Sequence, residues 1–219
     1  MTRRLALMSL LALPACSTQD NLIFRHGSLA LKALTAKPRR LTREDVAKYN
    51  AASISVRIGN GAEGLILLNR IEHRDCFWLA SSRVLIVTRG GRLIQTSGLR
   101  SNLMNTNMAT PDPVDGALLT ADRSKSIRSL DFEEYGFGIE ATSRFELVKK
   151  EPVQILGTNL PMVRAREHVH VPDLKWHHSN TYWAHEETGA VWRSVQHYHP
   201  DQPAVTITTL RAVADSFLS

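Results

Sequence analysis

Cysteine is scarce: the 219 residues hold two, Cys16 and Cys76. A disulfide framework of the kind that staples small secreted domains is therefore not available. Cys76 lies in the apolar run Cys76-Phe77-Trp78-Leu79 and reads as a buried structural thiol. Long apolar runs are lacking as well. None approaches the roughly 20 residues that a membrane-spanning helix needs. No P-loop, nucleophile elbow or zinc-protease motif occurs, and no spacing of carboxylates singles out an acid/base pair, so catalysis has no positive support. Repeats and low-complexity tracts are absent. Charge of one sign is not in large excess, with 27 basic against 21 acidic residues and both signs interspersed. The densest basic stretch, Lys37, Arg39, Arg40 and Arg43, reads as a solvated linker or helix face; the alternative is contact with anionic head groups or an acidic polymer. It has no aromatic interleaving, which argues against nucleic acid.

What is present begins at the N-terminus. Thr2-Arg3-Arg4 is positive, Leu5 to Leu13 is apolar to neutral, and Leu13-Pro14-Ala15-Cys16 follows. This order predicts a secretory signal over 1–15. The last four residues resemble the bacterial lipobox, in which the cysteine becomes the first residue and carries the lipid. Each buried methylene contributes about 0.8 kcal/mol, and stable anchoring takes more than one acyl chain. A cysteine carrying three chains, as the resemblance implies, holds a soluble domain at a membrane without a spanning helix. Ser17 stands where enterobacterial lipoproteins kept in the inner membrane have aspartate, which points to the periplasmic face of the outer membrane. Residues 16–40 read as lipidated cysteine, tether and weak helix. Residues 41–219 read as one β-rich domain.

Thr42-Arg43-Glu44-Asp45 looks like a helix N-cap with first-turn acids, and a short helix to about Tyr49 follows. From residue 53 the hydrophobic period becomes two. Strands are expected at Ile54–Ile58, Leu65–Ile71, Phe77–Ala80, Val84–Thr88, Leu93–Thr96, Ile127–Phe132, Ile139–Lys149, Val153–Leu156, Met162–Val171, Thr181–His185, Val191–Gln196 and Val205–Leu210. Residues 99–125 are expected to be a long loop. The fold class is mainly β: a curved antiparallel sheet with one or two short helices.

Gly59-Asn60-Gly61-Ala62-Glu63-Gly64 matches a dinucleotide fingerprint, but no crossover helix can follow it, so it reads as a turn. Seven of the nine histidines fall between 168 and 199, which raises the question of metal. His168 with His170, and His197 with His199, are expected to share strand faces; convergence of these pairs would make a zinc or copper site, and otherwise they are surface histidines. No cofactor is called for beyond the lipid on Cys16. Glu167 falls in phase with Val163, Ala165, Val169 and Val171, and Arg193 falls between Val191 and Val195. An ion pair between Glu167 and Arg193 is expected, either structural or at the floor of a ligand cleft. Glu186-Glu187-Thr188-Gly189 is a hairpin turn. A four-residue loop sets Trp183 across from Trp192, and a three-residue loop sets it across from Arg193. Both tryptophans are candidates for core packing or for stacking on sugar rings.

The lipobox, Ser53-Ile54-Ser55-Val56-Arg57-Ile58-Gly59, the hairpin Val87-Thr88-Arg89-Gly90-Gly91-Arg92-Leu93, Glu167, Asn180-Thr181-Tyr182-Trp183, Glu187-Thr188-Gly189-Ala190-Val191-Trp192-Arg193-Ser194-Val195-Gln196-His197 and Pro200 together resemble the YjbF/GfcB lipoprotein family. The likeness spans most of the mature chain and departs over about 100–128 and in the histidine enrichment. It implies a strongly curved antiparallel sheet, somewhat like the lipoprotein-carrier half-barrels. It also implies a lipoprotein of exopolysaccharide or group 4 capsule production that works beside an outer-membrane barrel and a polysaccharide-export partner. It supplies no catalytic residues.

Three functions compete: a non-enzymatic accessory factor of polysaccharide secretion, a lipid carrier or sensor, and a histidine-based metal protein. An exposed groove edged by Trp183 or Trp192 favours the first. An apolar cavity lined by Leu and Val favours the second. Convergence of His168, His170, His197 and His199 favours the third.

Overall fold

The computed structural model describes residues 40–213; the leader, Cys16 and nearly all of the tether lie outside them. Helix α1 (Arg43–Ala47) starts where the capping signal places it. Thr42 Oγ1 accepts from the Asp45 backbone N–H, and the Asp45 carboxylate accepts from the Thr42 N–H. Twelve strands follow: β1 (Ser53–Ile58), β2 (Gly64–Glu72), β3 (Asp75–Leu79), β4 (Leu85–Arg89), β5 (Arg92–Ser97), β6 (Leu103–Met108), β7 (Lys125–Phe132), β8 (Gly136–Ile155), β9 (Thr158–Val171), β10 (Trp176–His185), β11 (Val191–Gln196) and β12 (Val205–Arg211).

They form one antiparallel sheet in the order β5-β4-β3-β2-β1-β12-β11-β10-β9-β8-β7-β6. The two end strands are consecutive in the chain. The Leu103 N–H of β6 donates to Thr96 Oγ1 of β5 at 2.9 Å, and the Thr96 hydroxyl meets Asn102. The sheet thus curls almost fully round, nearer a closed barrel than a half-barrel. Interior positions from most strands meet in one cluster, including Ile54, Ile66, Trp78, Ile86, Leu93, Leu103, Phe132, Ala141, Val169 and Ile207. Alternate residues point out, as the period of two requires.

Two expectations need correction. The stretch 99–125 is not all loop: it contains β6 and a single 3₁₀ turn at Leu118–Thr120. The β6 sequence Leu-Met-Asn-Thr-Asn-Met buries only Leu103 and Thr106, so it shows no clean alternation. Secondly, Ile139–Lys149 and Val153–Leu156 are one strand, running through Pro152. Pro152 pairs with Pro161 beyond the ends of β7 and β10, where β8 and β9 run on as a two-stranded hairpin. A proline there breaks no ladder with a third strand. The Gly59–Gly64 fingerprint is a hairpin turn, with β1 and β2 antiparallel on either side and Gly59 at φ +53°.

Candidate functional site

Glu167 lies inside the barrel as its phase requires, but its partners are not the expected one. Oε1 accepts from Arg92 Nη2 at 3.0 Å and from Arg128 Nη1 at 2.7 Å. Oε2 accepts from Arg92 Nη1 at 3.1 Å and Asn180 Nδ2 at 2.9 Å, with the Tyr182 hydroxyl at 3.0 Å. Arg92 also forks onto Asp112, Arg128 donates to Ser143 Oγ, and Tyr182 reaches Gln196. Gln196 in turn caps the Leu93 N–H and donates to the Gly91 carbonyl. Two guanidinium groups and two carboxylates thus balance in the interior, tying β5, β7, β9, β10 and β11 together. Burial alone would push the Glu167 carboxyl up; Arg128 and Arg92 instead hold it well below the usual carboxylate range. Burial would likewise lower Arg92, which Glu167, Tyr182 and Asp112 keep well above its ordinary value.

The predicted Glu167–Arg193 pair does not form, because the two side chains lie on opposite faces of the sheet. Tyr182 pairs with Ser194, so Ser194 and Gln196 face in and Arg193 faces out. A bulge after Trp183 puts Trp192 out of step, so Val191 packs in the core although it lies two residues from Arg193. The loop is the four-residue one, 186–189, closed by the His185 N–H on the Ala190 carbonyl, but the bulge sets Trp183 opposite Arg193 instead of Trp192, with the guanidinium 5.4 Å from the indole centroid. The partners Arg92 and Arg128 were missed. Arg128 carries a signal: it is in phase with Leu130 and Phe132, while Ile127 is on the exposed face. Arg92 carries none, since Arg92, Leu93 and Ile94 are all buried in succession.

Arg193 and Trp183 instead line a groove of about 710 Å³ on the outside of the barrel. Its floor is the outer face of β1, β11 and β12, including Arg57, Arg193, Thr206 and Thr208. Its wall is the β8–β9 hairpin, residues 151–157. The turn Leu156-Gly157 has both φ positive, at +48° and +79°, as a two-residue hairpin demands. Arg43 of α1 fastens this tip, donating from Nε to the Leu156 carbonyl at 2.6 Å and from Nη2 to Thr158 Oγ1. Trp183 is held by its Nε1 donating to Glu151 Oε1 at 2.8 Å.

A second cavity, of about 620 Å³, opens at the barrel end formed by the β4–β5 turn, residues 114–116 and the β10–β11 turn. Ile54, Trp78, Val114, Val191, Trp192 and Ile207 give it a mainly apolar lining. Trp192 lines this cavity and Trp183 the outer groove, and both pack against the cluster of Val153, Ile155 and Met162 on β8 and β9.

The histidine pairs do not converge. His168 and His170 do share the outer face of β9, but His168 meets Ser179 and Glu146, and His170 stacks on His177 at 4.2 Å. His197 and His199 share no strand face, because β11 ends at Gln196. His197 packs against His178, and His199 meets Glu134 at 3.3 Å. Among the described residues no three His, Cys, Asp or Glu side chains are grouped to hold a metal ion. Burial and the neighbouring His197 push His178 down to about 3. Cys76 is buried, which pushes its thiol up.

Comparison with known proteins gives a consistent picture. A family model described as group 4 capsule polysaccharide lipoprotein gfcB, YjbF matches residues 20–210. The uncharacterized lipoprotein GfcB of Escherichia coli K12 is 30% identical over 149 residues, 66% of this chain and 69% of that protein. The uncharacterized lipoprotein YjbF of the same strain is 26% identical over 215 residues, 97% of this chain and 99% of that protein. The crystal structure of the hypothetical lipoprotein YmcC from Escherichia coli K12 superposes with a TM-score of 0.72 at 23% identity, covering 90% of this chain and 99% of that one. That likeness establishes the fold.

Proposed function

The chain belongs to the YjbF family of group 4 capsule polysaccharide lipoproteins, and from that premise we propose that it is a non-enzymatic accessory factor that engages polysaccharide during its production or export. Cys16 anchors it at the periplasmic face of the outer membrane, where an outer-membrane barrel and export proteins are its natural neighbours. The observation that carries the reading is the outer groove. It is walled on one side by a fastened hairpin and edged by an indole, with hydroxyls and guanidinium groups on the outer face of the sheet as its floor. Aromatic faces pack on the apolar faces of sugar rings, and hydroxyls and arginines hydrogen-bond their edges.

A second reading, a lipid carrier, draws on the apolar cavity at the barrel mouth. Its volume suits a small apolar ligand or part of an acyl chain. The histidines do not favour a metal role, since the four candidates point to separate partners.

The test is equilibrium binding of the non-lipidated mature chain, carrying Cys16→Ser, to surface polysaccharide purified from the producing strain. Binding is expected, and Thr206→Trp, which fills the groove from its floor without removing a packed side chain, is expected to abolish it. Undiminished binding by Thr206→Trp contradicts the assignment of the groove.

A further inference from the structure

We infer that the outer groove selects a polysaccharide bearing anionic groups, carboxylate or phosphate, and that Arg193 and Arg57 are the residues that receive them. The inference rests on the reading of the groove as a glycan site and adds the chemistry of the sugar.

Six charged side chains line the groove: Arg40, Arg43, Arg57, Arg193, Glu63 and Glu151. Both carboxylates are already engaged. Glu151 accepts from Trp183 Nε1 and is paired with Lys149 at 2.7 Å and Arg164 at 3.4 Å. Glu63 accepts from the Leu41 N–H at 3.4 Å. Arg43 is spent on the hairpin tip. Arg57 and Arg193 are different. Neither meets a carboxylate among the described residues, and Arg193 Nε is buried without any hydrogen-bond acceptor. Its guanidinium rests against Trp183, whose indole Glu151 pins in place. Buried polar groups are almost always satisfied, so a guanidinium that lines a groove with no acceptor from the chain is open to one supplied from outside.

The geometry suits a chain of sugars more than an isolated ion. Arg193 pairs with Thr208 and Arg57 with Thr206, so the two arginines flank β12 on its outer face. Two strand spacings, about 10 Å, separate them across the sheet. The hydroxyls of Thr206 and Thr208 lie between. A guanidinium fork receives a carboxylate or phosphate through two parallel N–H···O bonds, which neutral hydroxyls do not reproduce. Neutral stretches of the polymer are left to the threonines and the half-buried indole of Trp183.

The experiment uses the non-lipidated mature chain and the surface polysaccharide of the producing strain in three forms: native, carboxyl-reduced with carbodiimide and borohydride, and dephosphorylated with hydrogen fluoride. Native polymer is expected to bind, and one of the two treatments to weaken binding by about tenfold or more, the loss expected for a hydrogen bond to a charged group. Whichever treatment does so names the anion. Arg193→Gln and Arg57→Gln are expected to weaken native binding similarly while leaving thermal stability unchanged, and to make it insensitive to that treatment. Equal binding of all three forms overturns the anionic selectivity while leaving the glycan groove standing. Absence of binding to every form overturns both. Loss of native binding in Arg193→Gln with continued sensitivity to the treatment shows that the anion is received elsewhere, and overturns the assignment to Arg193.

Discussion

Arg92 and Glu167, 75 residues apart in the chain, form a forked pair in the barrel interior, Nη2 to Oε1 at 3.0 Å and Nη1 to Oε2 at 3.1 Å. Both side chains are almost wholly inaccessible, at 2% and 0%. The pair spans from a strand at one end of the sheet to one near the other end, so it fixes how the sheet closes.

Glu167→Gln leaves Arg92 with Asp112 alone and takes from Arg128 its one carboxylate partner among the described residues. Removing one partner from a buried charge network typically costs about 3–5 kcal/mol. In a chain of this length that lowers the melting temperature by roughly 6–20 °C. Arg193→Met, on the outer face, is expected to leave the melting temperature within about 2 °C. Calorimetry on both variants checks the replacement of the expected pair by the observed one.

Stability should fall as pH drops through two windows of the same sign. His178 is neutral in the folded state down to about 3, because burial disfavours its charge. The unfolded chain binds that proton from about pH 6.5 downward, so stability is lost between roughly 6.5 and 3, by about 2 kcal/mol at pH 5. Glu167 is depressed, so its contribution is complete above the unfolded value of about 4.3 and is lost below it. Urea titrations at pH 7, 5 and 4 should show the first loss. His178→Phe, which keeps the ring against Trp176, should flatten the step from 7 to 5.

Gly91 holds φ +100°, and a Cβ there would stand 2.5 Å from Val191 Cβ. Gly91→Ala combines an unfavourable backbone with an overpacked contact that Val191 cannot leave. A loss of about 1–3 kcal/mol is expected in chemical denaturation. Gly157→Ala has a positive φ but open space around it, and should cost less.

Cys16→Ala should release the protein from the membrane fraction of cells expressing it. Among the described residues no helix is long and apolar enough to cross a bilayer. Retention of the variant in the membrane pellet would contradict the lipid anchor.

Most of the fold was legible because alternation survives wherever one face of a strand is buried. β7, β9 and the start of β12 follow it, and the capping box marked α1. β6 escaped because its outward residues are Met104, Asn105 and Asn107, with no apolar rhythm. In the site, the burial of Glu167 was readable from its phase, but its partner was not. A single bulge beside Trp183 reverses the face of Arg193, and periodicity cannot locate bulges. Arg92 reaches Glu167 through barrel closure, a contact between strands that sequence pattern does not order. The groove was invisible for a similar reason: Pro152 hid the continuity of the long β8–β9 hairpin that walls it.

The most direct test is surface polysaccharide output in a deletion strain complemented with wild type, Thr206→Trp in the outer groove, or Ala190→Trp at the apolar mouth. Equal amounts of each protein should be present in the membrane. Wild type and Ala190→Trp are expected to restore output, and Thr206→Trp is not. Full restoration by Thr206→Trp together with failure of Ala190→Trp would contradict the assignment to the groove and move the function to the apolar cavity.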